Sequence, residues 1–355
     1  MERSDRFELA GQAVALGERR EIQVAISQSY SSVAVTIPVH VWRGARAGPA
    51  VFVTGAVHGD ELNGTGIVRA LILERPFTLE MGTLVLVPVI NILGFERHAR
   101  YLPDRRDLNR SFPGSPGGSL ASRFAHGVFA EIVKRCDVGI DLHSAAVRRA
   151  NFPNVRGDLR DPACRRLATA FGAELLVNNR GPKGSLRRAA CAAGCPTIML
   201  EAGEVWKVEP CIVEYGVRGV TNVLVELGMV HGTVARPPHQ LVIQRTTWVR
   251  AQLGGFLEYH VTLGSVVSAG QAIATNRSLL GAERNTLESP VDGVVMSITT
   301  IPAVAPGDPV CQIAVRKAGL AKYRDAVSRS ADGALEQRVR ADLARKVTVS
   351  SRDDA

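Results

Sequence analysis

His58-Gly59-Asp60-Glu61 follows the apolar run Val51 to Val57, and far downstream Ile140-Asp141-Leu142 leads into His143. A strand that ends in H-x-x-E aims an imidazole and a carboxylate at one point, and a second strand ending in histidine supplies a third donor. That donor set suits Zn2+, one ion per chain, with a coordination position left for a water that the metal acidifies. Copper or cobalt fits the same donor types, so ligand chemistry alone leaves the metal open. H-x-x-E recurs by chance in a chain with eight histidines, and its position therefore carries the weight. Both histidines fall just past apolar runs, where α/β sheets expose the C-terminal ends of their strands and build their sites. A core histidine at 143 and a helix-starting carboxylate at 61 are the competing readings of these residues.

Other residues add acid, base and cationic chemistry. Glu201 follows Pro196-Thr197-Ile198-Met199-Leu200, so its carboxylate leaves an apolar wall at a strand end. That placement suits a general base that passes a proton from water to a departing amine. The alternative pairs Glu201 with an arginine and makes Glu204 the reactive acid. Asn109 and Arg110, in Asp107-Leu108-Asn109-Arg110, suit a substrate carboxylate, because a guanidinium fork bonds both oxygens and an amide adds a third donor. An ion pair of Arg110 with Asp104 or Asp107 is the plainer reading. Asp141 either orients a ligand or bonds the backbone. Gly64-Thr65-Gly66 follows a strand, but Arg69 stands where a dinucleotide loop needs its third glycine. The chain has no G-x-S-x-G, H-E-x-x-H or phosphate-loop signature, which disfavours serine hydrolases, thermolysin-like proteases and nucleoside-triphosphate enzymes.

These groups need an α/β frame. Alternating β-branched residues over 21–43 predict a hairpin, followed by strands at Val51–Val57, Leu84–Val89, Val138–Leu142 and Pro196–Leu200. Helices are predicted at Leu62–Leu73, Ser119–Lys134 with Ser119 as cap, Pro162–Phe171 and Tyr215–Leu227. The alternation gives a mixed twisted sheet with helices on both faces over residues 1–235. Composition shifts at Arg236-Pro237-Pro238. Short glycine-separated β segments over 236–317 resemble the barrel-sandwich of lipoyl and biotinyl domains. A carrier turn needs a lysine, and none lies between Lys207 and Lys317, so this small all-β domain reads as a lid or an oligomerisation element. Residues 318–355 form a basic tail, helical or disordered, with Leu335, Val339 and Leu343 on one helical face and Ser328–Gly333 as linker or frayed chain.

Taken in order, His58-x-x-Glu61, Arg100-Tyr101, Asp107-Leu108-Asn109-Arg110, Asp141-Leu142-His143 and Glu201-Ala202-Gly203 resemble the blocks of the succinylglutamate desuccinylase/aspartoacylase family, relatives of the zinc carboxypeptidases. The similarity spans roughly residues 48 to 230, and the C-terminal β domain also resembles what that family appends. The resemblance implies a zinc carboxypeptidase-like fold, with His58, Glu61 and His143 as metal ligands and Glu201 as general base. Arg100 would stabilise the oxyanion, unless it is a surface arginine like Arg97, Arg105 and Arg106. Asn109 and Arg110 would hold the substrate carboxylate, and Arg187 or Arg188 falls near the place of a further carboxylate-binding arginine. The implied activity is hydrolysis of the amide of an N-acyl amino acid or N-acyl diamino acid by metal-activated water. A carboxypeptidase acting on small peptides is the alternative enzyme, and an inactive metal-binding protein the alternative outside enzymes.

Composition agrees with a globular enzyme: 355 residues, 46% hydrophobic and 22% charged. Much of the net charge of +9 is local, since from Arg316 onward ten Lys/Arg face six Asp/Glu and other cations crowd the candidate site. That distribution fits a small anionic N-acylated substrate better than nucleic acid, for which no motif is present. No apolar stretch spans a bilayer and no signal-peptide core follows Met1, so the expected location is cytoplasmic and homo-oligomerisation is left open. The six cysteines lack zinc-knuckle spacing and read mostly as buried thiols.

Overall fold

The computed structural model describes residues 6–28, 31–331 and 333–349. Its centre is a parallel core in which Val138–His143 lies between Arg46–Gly55 and Thr197–Glu204, with Met81–Val87 parallel to Arg46–Gly55 on the far side. Strands covered on both faces must be apolar throughout, and these are: Val51, Phe52, Val53, Ile140, Leu142 and Ile198 have no exposed surface. Side chains alternate between two cores. Val51, Val53, Ile140 and Leu142 pack with Ile67, Leu71 and Val220 of the helices Leu62–Glu74 and Pro210–Glu226. On the other face Phe52 packs with Phe124 and Val128 of the helix Leu120–Glu131.

Register decides where the site forms. Gly55 pairs with Leu142, and His143 with Glu201, so the C-terminal ends of three parallel strands lie at one level. The predicted hairpin is present as Arg19–Gln28 paired antiparallel with Ala34–Arg43. The predicted helices are present too, with Ser119 accepting from Ser122 N–H as the expected cap. The last one begins earlier than expected, at Pro210, because a proline is well tolerated in the first helical turn.

The strand Arg149–Gly157 has no counterpart among the expected elements. It runs antiparallel to Thr197–Glu204, and Asn151, Pro153, Asn154 and Arg156 break its apolar pattern. The C-terminal half continues from it. Gly293–Thr299 pairs antiparallel with Arg149–Gly157, and Pro309–Val315 and Arg245–Arg250 follow outward, so one sheet crosses the composition shift near residue 236. A separate antiparallel sheet comprises Glu283–Glu288, Ala272–Arg277, Gly255–Tyr259 and Ala303–Val304.

The basic tail is helical at Leu320–Ser328 and Leu335–Ala344, and Leu335, Val339 and Leu343 are buried as their spacing requires. Asp332, within the stretch expected as linker, lies outside the described residues. Arg340 fastens the tail, donating to Glu174 Oε1 at 2.8 Å, Tyr323 Oη at 2.6 Å and the Gly264 carbonyl at 2.9 Å. Glu174 is buried, so removing its partner strands a carboxylate in low dielectric. Arg340→Ala is expected to lower unfolding free energy by about 3–5 kcal/mol, read as a shifted midpoint in urea. An unchanged midpoint would show that the tail is not fastened through this pair.

Candidate active site

Ala56, at a left-handed φ of 47°, turns the chain off the end of its strand, and His58 to Glu61 follow as a tight link into the helix Leu62–Glu74. Gly59 is needed there, since a Cβ would come within 2.1 Å of the Gly94 backbone. Glu61 sits at the helix N-cap position but its side chain caps nothing. Instead its Oε1 lies 2.6 Å from His58 Nδ1 and its Oε2 lies 2.7 Å from His143 Nδ1. The helix-capping reading of Glu61 and the core reading of His143 therefore both give way to one cluster.

A ligand atom from each of His58, Glu61 and His143 lies within 4.8 Å of the others, and all three residues are buried. Two imidazoles and a carboxylate converging on one buried point fit a divalent cation by donor type and number. The outer nitrogens are fixed as well. His143 Nε2 meets Asp141 Oδ2 at 2.9 Å, and Thr54 Oγ1 donates to Asp141 Oδ1 at 2.9 Å, so Asp141 orients the His143 ring rather than bonding backbone. His58 Nε2 meets Asp107 Oδ1 at 3.2 Å. Burial pulls the His143 pKa down, but Asp141 and Glu61 outweigh it and hold the ring well above its usual value. Burial likewise pushes Glu61 up, and the two histidines reverse this, leaving it well below the carboxylate range. Protons on the rings thus answer the surrounding carboxylates, and a cation at the same point competes with them.

Arg100 bridges the cluster, with Nη1 3.1 Å from Glu61 Oε1 and Nη2 3.1 Å from Asp107 Oδ2. It is a pocket residue and not one of a surface group. Asp107 is thus spent on His58 and Arg100, and Arg110 donates instead to the Asn109 carbonyl at 2.7 Å. Asn109 Oδ1 accepts from Leu186 N–H at 2.8 Å, and among the described residues its amide nitrogen has no hydrogen-bond partner.

Glu201 stands beside His143 in the sheet, and a register shift between Glu201 and Gly203 turns the strand end. Asn151 Nδ2 donates to its Oε2 at 2.8 Å, and Arg156 is 3.7 Å from its Oε1. Glu204 faces elsewhere, bound by Lys207 at 2.5 Å and by Thr300 Oγ1 at 2.8 Å. All seven residues singled out from the sequence, His58, Glu61, Arg100, Asn109, Arg110, His143 and Glu201, line one cavity of about 370 Å³.

Sequence reading missed part of that cavity. Arg149, Asn151 and Arg156 come from the unexpected strand, and Trp248, Ser297 and Gln312 come from beyond residue 236. Arg187 also lines it, whereas Arg188 donates to the Gly181 carbonyl. Arg187 is only 3% exposed, and among the described residues its Nε has no hydrogen-bond partner. Burial, with Arg156 nearby, pulls its pKa down to about 10. Alternation with polar residues in 149–156 was the available signal for the missing strand.

The fold is shared with deacylating hydrolases. The chain belongs to the succinylglutamate desuccinylase/aspartoacylase family, with residues 47–227 matching the model of its catalytic domain. The N-alpha-acetyl-L-2,4-diaminobutyric acid deacetylase of Halomonas elongata is 30% identical over 253 residues, covering 68% of this chain and 74% of that protein. The product-bound ectoine utilization protein EutE (DoeB) from Ruegeria pomeroyi has the same fold, with a TM-score of 0.73 and 24% identity over 84% of this chain and 95% of its own. A succinylglutamate desuccinylase/aspartoacylase from Rhodobacter sphaeroides gives a TM-score of 0.71 and 26% identity, with coverage of 84% and 95%. Among the described residues no helix is long and apolar enough to cross a membrane.

Proposed function

We propose that this chain is a zinc-dependent amidohydrolase that releases the acyl group from an N-acyl amino acid or N-acyl diamino acid. The observation that carries the reading is the convergence of His58, Glu61 and His143 at one wall of a cavity that also holds Glu201 and five arginines. When bound, Zn2+ polarises an amide carbonyl and lowers the pKa of water toward neutrality. His58, Glu61 and His143 are the residues to hold it, with Asp107 and Asp141 fixing the two rings.

The remaining chemistry belongs to the chain. Glu201, steadied by Asn151, takes the proton of the attacking water and returns it to the leaving amine nitrogen. Arg100 places a guanidinium where charge develops on the carbonyl oxygen. The free amide of Asn109, with Arg110 and Arg187, holds the substrate carboxylate. Trp248, Ser297 and Gln312 complete the lining, and a cavity of about 370 Å³ suits a small acylated amino acid rather than a peptide, which favours the deacylase over the carboxypeptidase reading.

Metal analysis of purified protein, followed by amine release from N-acetyl, N-succinyl and dipeptide panels, tests the proposal. Stoichiometric zinc with release from acyl derivatives is the expected result. Preference for free dipeptides would promote the carboxypeptidase, and zinc binding without turnover of any amide would leave a metal-binding protein. Asp141→Asn is expected to weaken zinc binding by about 10–100-fold, read by competition with a chelating dye. Unchanged affinity would remove Asp141 from the site.

A further inference from the structure

Behind the pocket, two thiols face each other. Cys164 Sγ, on the helix Pro162–Phe171, and Cys191 Sγ, on the helix Leu186–Ala192, are 3.7 Å apart. Both are free thiols, Cys164 buried and Cys191 partly exposed. A separate cavity of about 320 Å³ reaches Cys191 and is lined by Arg180, Arg187 and Arg188 among others. Thr197 N–H points at Cys191 Sγ from 3.4 Å. The hydrogen bond from Cys164 is the chief influence pulling the Cys191 pKa below its usual value. The Thr197 N–H and Arg187 add to it, and burial opposes them. Among the described residues this pair has no third ligand with which to hold a metal.

We propose that Cys164 and Cys191 form a reversible dithiol/disulfide modification site, oxidised by a hydroperoxide, that controls the helix carrying Arg187. The Cys191 thiolate attacks the peroxide oxygen and the O–O bond breaks, giving a sulfenic acid and, with one proton, water or an alcohol. The Cys164 sulfur then attacks the Cys191 sulfur, the S–O bond breaks, and the hydroxyl leaves as water with the Cys164 proton. Two thiols lose two electrons and the peroxide gains them. A disulfide needs the sulfurs at about 2.0 Å, so closure of the 3.7 Å gap ties the two helices together covalently. The helix Leu186–Ala192 is short, its Leu186 N–H holds Asn109, and Arg187 is its next residue. Closure therefore reaches the carboxylate anchors, a consequence that rests on the role proposed for Arg187 and Asn109.

The test treats reduced full-length protein with a few equivalents of hydrogen peroxide, followed by intact mass, non-reducing peptide mapping and steady-state kinetics. The expected result is a loss of about 2 Da and a peptide linking Cys164 to Cys191. The link should be reversed by dithiothreitol, absent in Cys164→Ser and Cys191→Ser, and kept in Cys211→Ser. KM for the best acyl substrate should rise at least about threefold on oxidation, with kcat held within about twofold. No linkage, or passage of Cys191 to sulfinic acid without it, overturns the site. Linkage with KM unchanged overturns its control of the pocket. The mass readouts need no turnover, so a failed deacylase assignment is distinguishable from a failed disulfide.

Discussion

His143→Ala is expected to purify with less than about a tenth of the parent's zinc and to lose amide hydrolysis by on the order of 10⁴-fold. The size of the effect follows from geometry. Among the described residues two imidazoles and one carboxylate form the candidate set, and removing one leaves too few donors to retain a cation against water. The change also removes the His143 partner of Asp141, which has no exposed surface, and leaves it Thr54 as its side-chain hydrogen-bond partner among the described residues. Some loss of melting temperature is expected with it. Glu61→Gln keeps the shape of the side chain and separates ligand loss from unfolding, since it too should lose zinc while holding the fold. Full zinc stoichiometry in both variants would end the assignment of these ligands.

Glu201→Gln should behave in the opposite way, keeping zinc and substrate affinity and losing kcat by about 10²–10⁴-fold. The amide is isosteric with the carboxylate and can still meet Asn151, so strand and pocket remain in place, and only the proton acceptor is removed. The same substitution at Glu204 should leave kcat near the parent value, because Lys207 and Thr300 hold that carboxylate outside the cavity. Metal content and initial rates on one preparation decide the matter. A fully active Glu201→Gln would place the base elsewhere.

Much of this architecture is legible from the chain because local patterns and long-range demands agree. The parallel strands are apolar on both sides, since helices cover both faces, and that makes Val51 to Val57 and Val138 to Leu142 conspicuous. The strand Arg149–Gly157 is the reverse case. Arg149, Asn151 and Arg156 line the pocket and interrupt the strand's apolar run, so only a polar alternation marks it. Asp107 was visible as a residue but not in its role. Its contact with His58 spans 49 positions and depends on a loop that no periodicity describes.

The sequence by itself determined the donor types, their order, the strands that end in them and the family to which those blocks belong. Local chemistry is written residue by residue, and strand ends follow from where apolar runs stop. Tertiary structure alone decided which partners meet: Asp141 on His143, Arg100 across Glu61 and Asp107, Arg187 rather than Arg188 at the cavity, and Trp248, Ser297 and Gln312 in its lining. The physical reason is strand register. The pairing of Ser297 with Asn151 carries the C-terminal half onto the edge of the pocket. Pairing across so long a separation is selected by the packing of the whole sheet, and no window of sequence contains it.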